Sequence, residues 1–262
     1  MKAAFIGCGN IGGAVARGLY RKNIVSAAEM TCCDLVPECL EPFKAMDSAI
    51  NTTDDSRIAA KDADLIVVSV KPWNVERTLR GFKDFLDCSR QDLVVIAAGV
   101  TFEMLSEYLE DEKATLFRVI PNTAIEVGSS MTFVSAQNAS RERTDRIVEI
   151  FDSLGRAMLI PEMQMGAATA LASSGIAYAM RYVRASMEGG VELGFAPKVA
   201  MQIVLSTVKG AMDLLLANGE HPETEIDRVC TPKGITIRGL NEMEKEGFSY
   251  SVIAGLRASK TW

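Results

Sequence analysis

Ala3-Ala4-Phe5-Ile6-Gly7-Cys8-Gly9-Asn10-Ile11-Gly12-Gly13 decides the fold of this chain. The apolar run at its start reads as a buried strand. Gly7, Gly9 and Gly12 follow as Gly-x-Gly-x-x-Gly, and Ile11, Ala14, Val15 and Leu19 then recur at helical spacing. In such a strand–turn–helix the first glycine permits the tight turn and the second lets a pyrophosphate approach the backbone. The third lets helix and strand pack closely. The helix start offers free N–H groups and the positive end of its dipole. Gly7, Cys8, Gly9, Asn10, Ile11 and Gly12 are therefore candidate dinucleotide-binding residues, with Cys8 read as a small filler.

Asp34 closes Met30-Thr31-Cys32-Cys33 and lies roughly twenty residues beyond Gly12, where an acid that meets the adenosine ribose is expected. A carboxylate there accepts from free ribose hydroxyls and repels a 2′-phosphate. Leu35, Val36 and Pro37 supply no arginine to welcome that phosphate. The cofactor expected is NAD(H) or NADP(H), leaning to NADH.

Strands and helices alternate beyond this point. Pro37 can start a second helix that Pro42 would kink or shorten. Asp64 to Val70 is a near-continuous apolar strand ended by Lys71-Pro72, and Val75, Leu79, Phe82 and Leu86 repeat at helical spacing. Leu93 to Ala97 is another buried strand, ending at Ala98-Gly99, and Thr101 is placed to cap the helix through Leu109. Thr115 to Val119 is a strand before Pro121-Asn122-Thr123. Met131 to Val134 and Arg156 to Ile160 flank a helix capped by Ser140, with Ile147, Phe151 and Leu154 on one face. This alternation predicts an α/β fold, a doubly wound Rossmann-type parallel sheet over residues 1–160. Ligands of such sheets bind beyond the carboxyl ends of the strands.

The texture changes near Pro161. Residues 163–194 are rich in Ala, Ser, Gly and Met, and no strand pattern is found from there on. A helical run covers Lys198 to Leu216 and stops at Asn218-Gly219. Glu220-His221-Pro222 reads as a turn. Another helix follows Pro232, with Thr231 as its cap, and runs to about Glu246. Gly247 stops it before a last helix from Tyr250 to Ala258. Residues 161–262 thus form an all-α domain whose apolar helices are hard to cover alone, which points to pairing with a second copy.

Bulk properties narrow the function. The 262 residues carry a formal charge of −6, which argues against a nucleic-acid or anionic-membrane binder. No run of about 18 apolar residues occurs, so no membrane-spanning helix is expected. The chain enters a strand at once, so no cleavable signal peptide is read. Six cysteines without a Cys-x-x-Cys pair suggest reduced thiols in the cytoplasm. The lone His221 cannot complete a familiar zinc site, and no metal is expected. A catalytic acid at His221 would suit a hydroxy-acid dehydrogenase, but its turn context favours a surface or capping role. An imine substrate needs less from the protein, because its nitrogen carries its own proton. The run Asp227 to Ile237 could hold a carboxylate on helix-start amides, with the Thr236 hydroxyl near a substrate nitrogen.

The chain resembles the pyrroline-5-carboxylate reductase family over essentially its whole length. The matching segments are Phe-Ile-Gly-Cys-Gly-Asn-Ile-Gly (5–12), Val-Lys-Pro (70–72), Ala-Ala-Gly-Val-Thr (97–101), Pro-Asn-Thr (121–123), Gly-Glu-His-Pro (219–222) and Val-Cys-Thr-Pro-x-Gly-x-Thr-Ile (229–237). The resemblance implies hydride transfer from NAD(P)H to the C=N carbon of pyrroline-5-carboxylate, giving proline. It implies a helical domain that interlocks with a partner copy as a homodimer, or a larger homo-oligomer built from dimers. It places Thr231, Gly234, Ile235 and Thr236 at the substrate, Thr236 in the catalytic role, and Val70, Lys71, Pro72 and Ala98 along the cofactor. Some positions depart from the family pattern. Paired glycines become Lys233-Gly234, the next residue is Ile235, Ser-Gly-Ser-x-Pro-Ala-Tyr becomes Ala172 to Tyr178 without its proline, and Pro-Asn-Thr-Pro ends in Ala124. These changes touch the substrate loop, so a related imine or hydroxy-acid substrate, or a nucleotide-binding paralogue without activity, stays open at this point.

Overall fold

The computed structural model describes residues 1–260. They divide into two compact units, Met1–Ser173 and Ser174–Ser259. The first holds strands β1 (Ala3–Ile6), β2 (Met30–Cys33), β3 (Asn51–Thr53), β4 (Leu65–Val68), β5 (Asp92–Val95), β6 (Leu116–Ile120), β7 (Ser130–Gln137) and β8 (Gly155–Leu159). They form one sheet in the order β3-β2-β1-β4-β5-β6-β7-β8. Every neighbouring pair is parallel except β6 with β7. That antiparallel pair departs from the all-parallel expectation. The chain passes from β6 to β7 through one short 3-10 turn, Thr123–Val127, too short for the crossover that parallel neighbours require.

Helices cover both faces of the sheet: α1 (Asn10–Arg21), α2 (Glu41–Met46), α3 (Ser56–Ala60), α4 (Val75–Phe82), α5 (Phe102–Leu109), α6 (Arg141–Asp152) and α7 (Met165–Ala168). The central strands therefore alternate between two cores. Phe5, Leu65 and Val67 pack with Val15, Leu19 and Phe151 on one face, while Ala4, Ile6, Ile66 and Val68 pack with Leu79, Phe82 and Leu105 on the other. Thr101 and Ser140 cap α5 and α6 as expected, each accepting a backbone N–H at 3.2 Å. Pro42 confines α2 to a short helix behind a 3-10 turn at Pro37. The segment 162–173 packs with the first unit rather than the second. Met165 and Ala168 join Ile120, Phe133 and Ile160, and Glu162 accepts from buried Arg118 at 2.6 Å. The compact units thus part twelve residues beyond Pro161, after a π turn at Thr169–Ser174.

The second unit is helical: α8 (Gly175–Glu192), α9 (Pro197–Asn218), α10 (Pro222–Val229), α11 (Ile235–Lys245) and α12 (Phe248–Ala258). Tyr178 on α8 donates to the Gly255 carbonyl of α12 at 3.1 Å, and Tyr182 meets Phe248 edge to face. Gly219 and Gly247 are left-handed, as expected of helix stops. One expectation is corrected here. At 22 residues α9 is long and apolar enough to cross a membrane by length and composition, despite Lys198, Lys209 and Asp213. The interspersed charges broke the apolar run without making the helix polar.

Candidate active site

The register of the sheet brings the expected cofactor residues to one edge. Ile6 pairs with Cys33 and with Val68, and Val68 with Val95. Gly7, Asp34, Ser69–Val70 and Ile96–Ala98 therefore leave the carboxyl ends of four adjacent strands together. Strand order reverses between β1 and β4, the position where such sheets bind ligands.

The glycine loop has the geometry a phosphate site needs. Gly7 sits at φ +93°, and a methyl group there would come within 2.6 Å of the Ser69 carbonyl oxygen. A methyl on Gly12 would lie 2.0 Å from the Gly7 carbonyl oxygen, so only glycine allows α1 this close to β1. A methyl on Gly9 would meet nothing within 4 Å, which leaves that side open to a ligand. Gly9 is the N-cap of α1, and Gly13 N–H donates to the Gly9 carbonyl at 2.8 Å. Asn10, Ile11 and Gly12 thus supply the N–H groups ahead of the first helical hydrogen bond, at the positive end of the dipole.

Asp34 stands beside this loop. One carboxylate oxygen accepts Cys8 N–H at 2.7 Å and the other accepts Val36 N–H at 2.9 Å. The Cys8 side chain points inward, its thiol 3.4 Å from the Phe5 carbonyl. A hydrogen bond with Cys32, and then burial, push that thiol far above the ordinary range. Burial pushes Cys33 up to about 12. Both are neutral fillers at physiological pH, which agrees with the reading of Cys8. Val70 is half-buried, while Lys71, Pro72 and Ala98 are exposed along the same edge. Ser69, which the sequence reading missed, walls the loop through its carbonyl. Its only signal was its place directly after the β4 run.

The remaining expected residues stand together in the second unit. Thr231-Pro232-Lys233-Gly234 is a turn closed by Gly234 N–H on the Thr231 carbonyl at 2.8 Å. Lys233 holds a left-handed φ of +62° at the third position, the pattern of a type II turn with proline at the second. The N-cap of α11 is Gly234, so Thr231 does not cap the helix and Pro232 is not its first residue. The local chemistry of Thr-Pro imitated a helix start, but the turn intervenes. Gly234 cannot carry a side chain, since a methyl there would lie 2.6 Å from Thr231 Oγ1. Ile235 and Thr236 open the helix, and their amides precede its hydrogen-bonded ladder. His221 caps α10, its Nδ1 accepting Glu223 N–H at 3.3 Å, which matches the capping role over a catalytic one.

The first unit defines a class: a dinucleotide fold of the kind that nicotinamide-dependent oxidoreductases use. Two family models match the chain, pyrroline-5-carboxylate reductase dimerisation over residues 162–261 and NADP oxidoreductase, coenzyme F420-dependent, over residues 2–100. Pyrroline-5-carboxylate reductase 1 of Dictyostelium discoideum is 34% identical over 98% of this chain, which spans 48% of that longer protein. The Methanosarcina acetivorans pyrroline-5-carboxylate reductase is 30% identical, with 99% of this chain and 96% of the relative covered. The crystal structure of Plasmodium falciparum pyrroline carboxylate reductase with NADP bound superposes with a TM-score of 0.90 at 26% identity, covering 99% and 95% of the two chains. The chain belongs to the pyrroline-5-carboxylate reductase family. It is an NAD(P)H-dependent reductase of proline biosynthesis with a helical dimerisation domain.

Proposed function

We propose that this chain reduces 1-pyrroline-5-carboxylate to L-proline with NADH in preference to NADPH. The observation that carries the reading is the glycine loop, whose backbone leaves Gly9 open directly ahead of the α1 amides. Bound there, the cofactor supplies the hydride. Asn10, Ile11 and Gly12 amides hold its pyrophosphate. Val70, Lys71, Pro72 and Ala98 line it. Asp34 receives the adenosine ribose hydroxyls on the lone pairs its amide partners leave free.

The charge around Asp34 supports NADH. Cys33 pairs with Thr53, so Asp54 leaves the neighbouring strand beside Asp34. The nearby Arg57 is already held by Asp55 through bonds of 2.9 and 2.6 Å. Two acidic residues at adjacent strand ends, with the nearest arginine already paired to Asp55, disfavour a 2′-phosphate.

In the substrate loop, Gly234 shapes the turn through its own N–H on the Thr231 carbonyl, the amides of Ile235 and Thr236 grip the carboxylate, and the Thr236 hydroxyl sits near the ring nitrogen. Lys233 adds a positive charge to that grip. The imine nitrogen carries its own proton, so the protein's task is orientation, and no histidine is needed. The working unit is a homodimer. Its setting is the cytoplasm, supported by six unpaired cysteines.

Steady-state turnover with pyrroline-5-carboxylate and each reduced cofactor tests this. The expected result is a higher kcat/KM with NADH. A preference for NADPH would overturn the reading of Asp34, and no turnover with either cofactor would overturn the assignment.

A further inference from the structure

Asp34 faces the phosphate loop as well as the place of the ribose. Its Oδ2 accepts Cys8 N–H at 2.7 Å, the shorter of its two amide contacts, and its Oδ1 accepts Val36 N–H at 2.9 Å. A second hydrogen bond on the same strand end, Asp34 N–H to the Thr53 carbonyl at 3.2 Å, fixes the backbone that carries it. Cys8 lies between Gly7 and Gly9 in a turn that is also held by Gly7 N–H on the Cys33 carbonyl at 2.8 Å and by the inward Cys8 thiol, so the Asp34 carboxylate is the one side chain that fixes the Cys8 amide. Hydrogen bonds from an amide to a charged oxygen are roughly twice as strong as neutral ones. Cys8 N–H is thereby turned toward the carboxylate, so it is not among the donors that face the open side of Gly9.

We propose that Asp34 is a positioning residue of the phosphate loop: its carboxylate clamps Cys8 and so presets the amides that bind the pyrophosphate. Cofactor selection and loop shape then depend on one side chain. A 2′-phosphate would have to displace or repel the group that holds the loop. Replacing Asp34 by a short neutral residue removes the repulsion and releases the clamp together, so it does not create a good NADPH enzyme. This inference rests on the loop being the dinucleotide site.

The test uses reduced nicotinamide mononucleotide, which has a phosphate and the nicotinamide but no adenosine. Its Kd and those of NADH and NADPH are measured by fluorescence on the whole protein, for wild type, Asp34→Asn and Asp34→Ser. Wild type is expected to bind NADH and the mononucleotide, and failure to bind NADH would overturn the functional assignment itself. In Asp34→Ser the mononucleotide should weaken about tenfold, as for loss of a charge-assisted hydrogen bond, and NADPH should not tighten. Asp34→Asn keeps one oxygen acceptor and should recover part of the mononucleotide affinity. A residue that only meets the ribose would leave the mononucleotide Kd unchanged in both variants. That result, or a gain in NADPH affinity in Asp34→Ser, overturns the clamp while leaving the assignment intact.

Discussion

Lys233 carries two costs that no contact within its own turn offsets. A non-glycine residue at φ +62° gives up roughly 1 kcal/mol. Its charge also stands just ahead of the N-terminus of α11, where the helix dipole is positive. Cost kept at one residue of a binding loop is consistent with use there. Lys233→Gly should raise stability by about 1 kcal/mol in a denaturant melt and raise KM for pyrroline-5-carboxylate several-fold with little change in kcat. Unchanged KM would remove Lys233 from the substrate's reach. Thr236→Ala should lower turnover about tenfold while leaving NADH affinity near wild type, as removal of a hydrogen bond made at the reacting nitrogen would. Normal turnover would remove Thr236 from the chemistry. At this scale the sequence was most legible where spacing itself encodes geometry. Gly7, Gly9 and Gly12, set between an apolar run and a helical repeat, mark a strand–turn–helix. The φ of Lys233 was not legible, because spacing says nothing of which residue in Thr231-Pro232-Lys233-Gly234 turns left-handed. The hydrogen bond from Cys8 to Asp34 also joins residues far apart in sequence, so no local pattern announces it.

Among the elements, those with strong caps and long apolar runs were read correctly, and the short ones were missed. Strand β3 has three residues, all polar and none buried, so it carries no apolar pattern. Helix α10 hid behind Glu220-His221-Pro222, which reads as a turn. In fact His221 caps it, Pro222 takes its first position, and Glu223 and Glu225 sit in its first turn. Helix α3 was passed over as well, although Asp55 caps it and holds the Arg57 guanidinium. Those contacts, first of all the side-chain bonds to Arg57, depress the Asp55 carboxyl from 3.8 to about 2. A depressed acid stabilises the fold above its unfolded value, and that contribution is lost as pH falls through the folded one. Asp55→Ala should therefore lower Tm by a few degrees at most at neutral pH, with a gap that narrows as pH drops from about 4 towards about 2. A gap that grows on acidification would contradict the cap.

At the scale of the whole molecule, the second unit leaves its longest helix uncovered. Val199, Ile203 and Leu214 recur along one face of α9, each about half exposed in the single chain. Apolar exposure on this scale marks an interface. The dimerisation family model over residues 162–261 accounts for it without a membrane. The composition made this legible: small residues and methionines in α8 and an apolar α9 said that the chain needs a partner. They did not say where the compact units part, because Met165 and Ala168 look the same whichever side they pack on. In solution the mass should be at least twice the 28.4 kDa of one chain. Ile203→Arg should shift it towards one chain, or into aggregates, with loss of activity. A fully active monomer would contradict the role of α9.

The most direct measurement of the whole account is a crystal structure of the protein grown with NADH and a non-reacting cyclic carboxylate. The account predicts the pyrophosphate on the amides of Asn10, Ile11 and Gly12, the adenosine ribose on Asp34, and the carboxylate on the amides of Ile235 and Thr236. A dinucleotide bound elsewhere, or a carboxylate that avoids the Thr231–Thr236 turn, would contradict it.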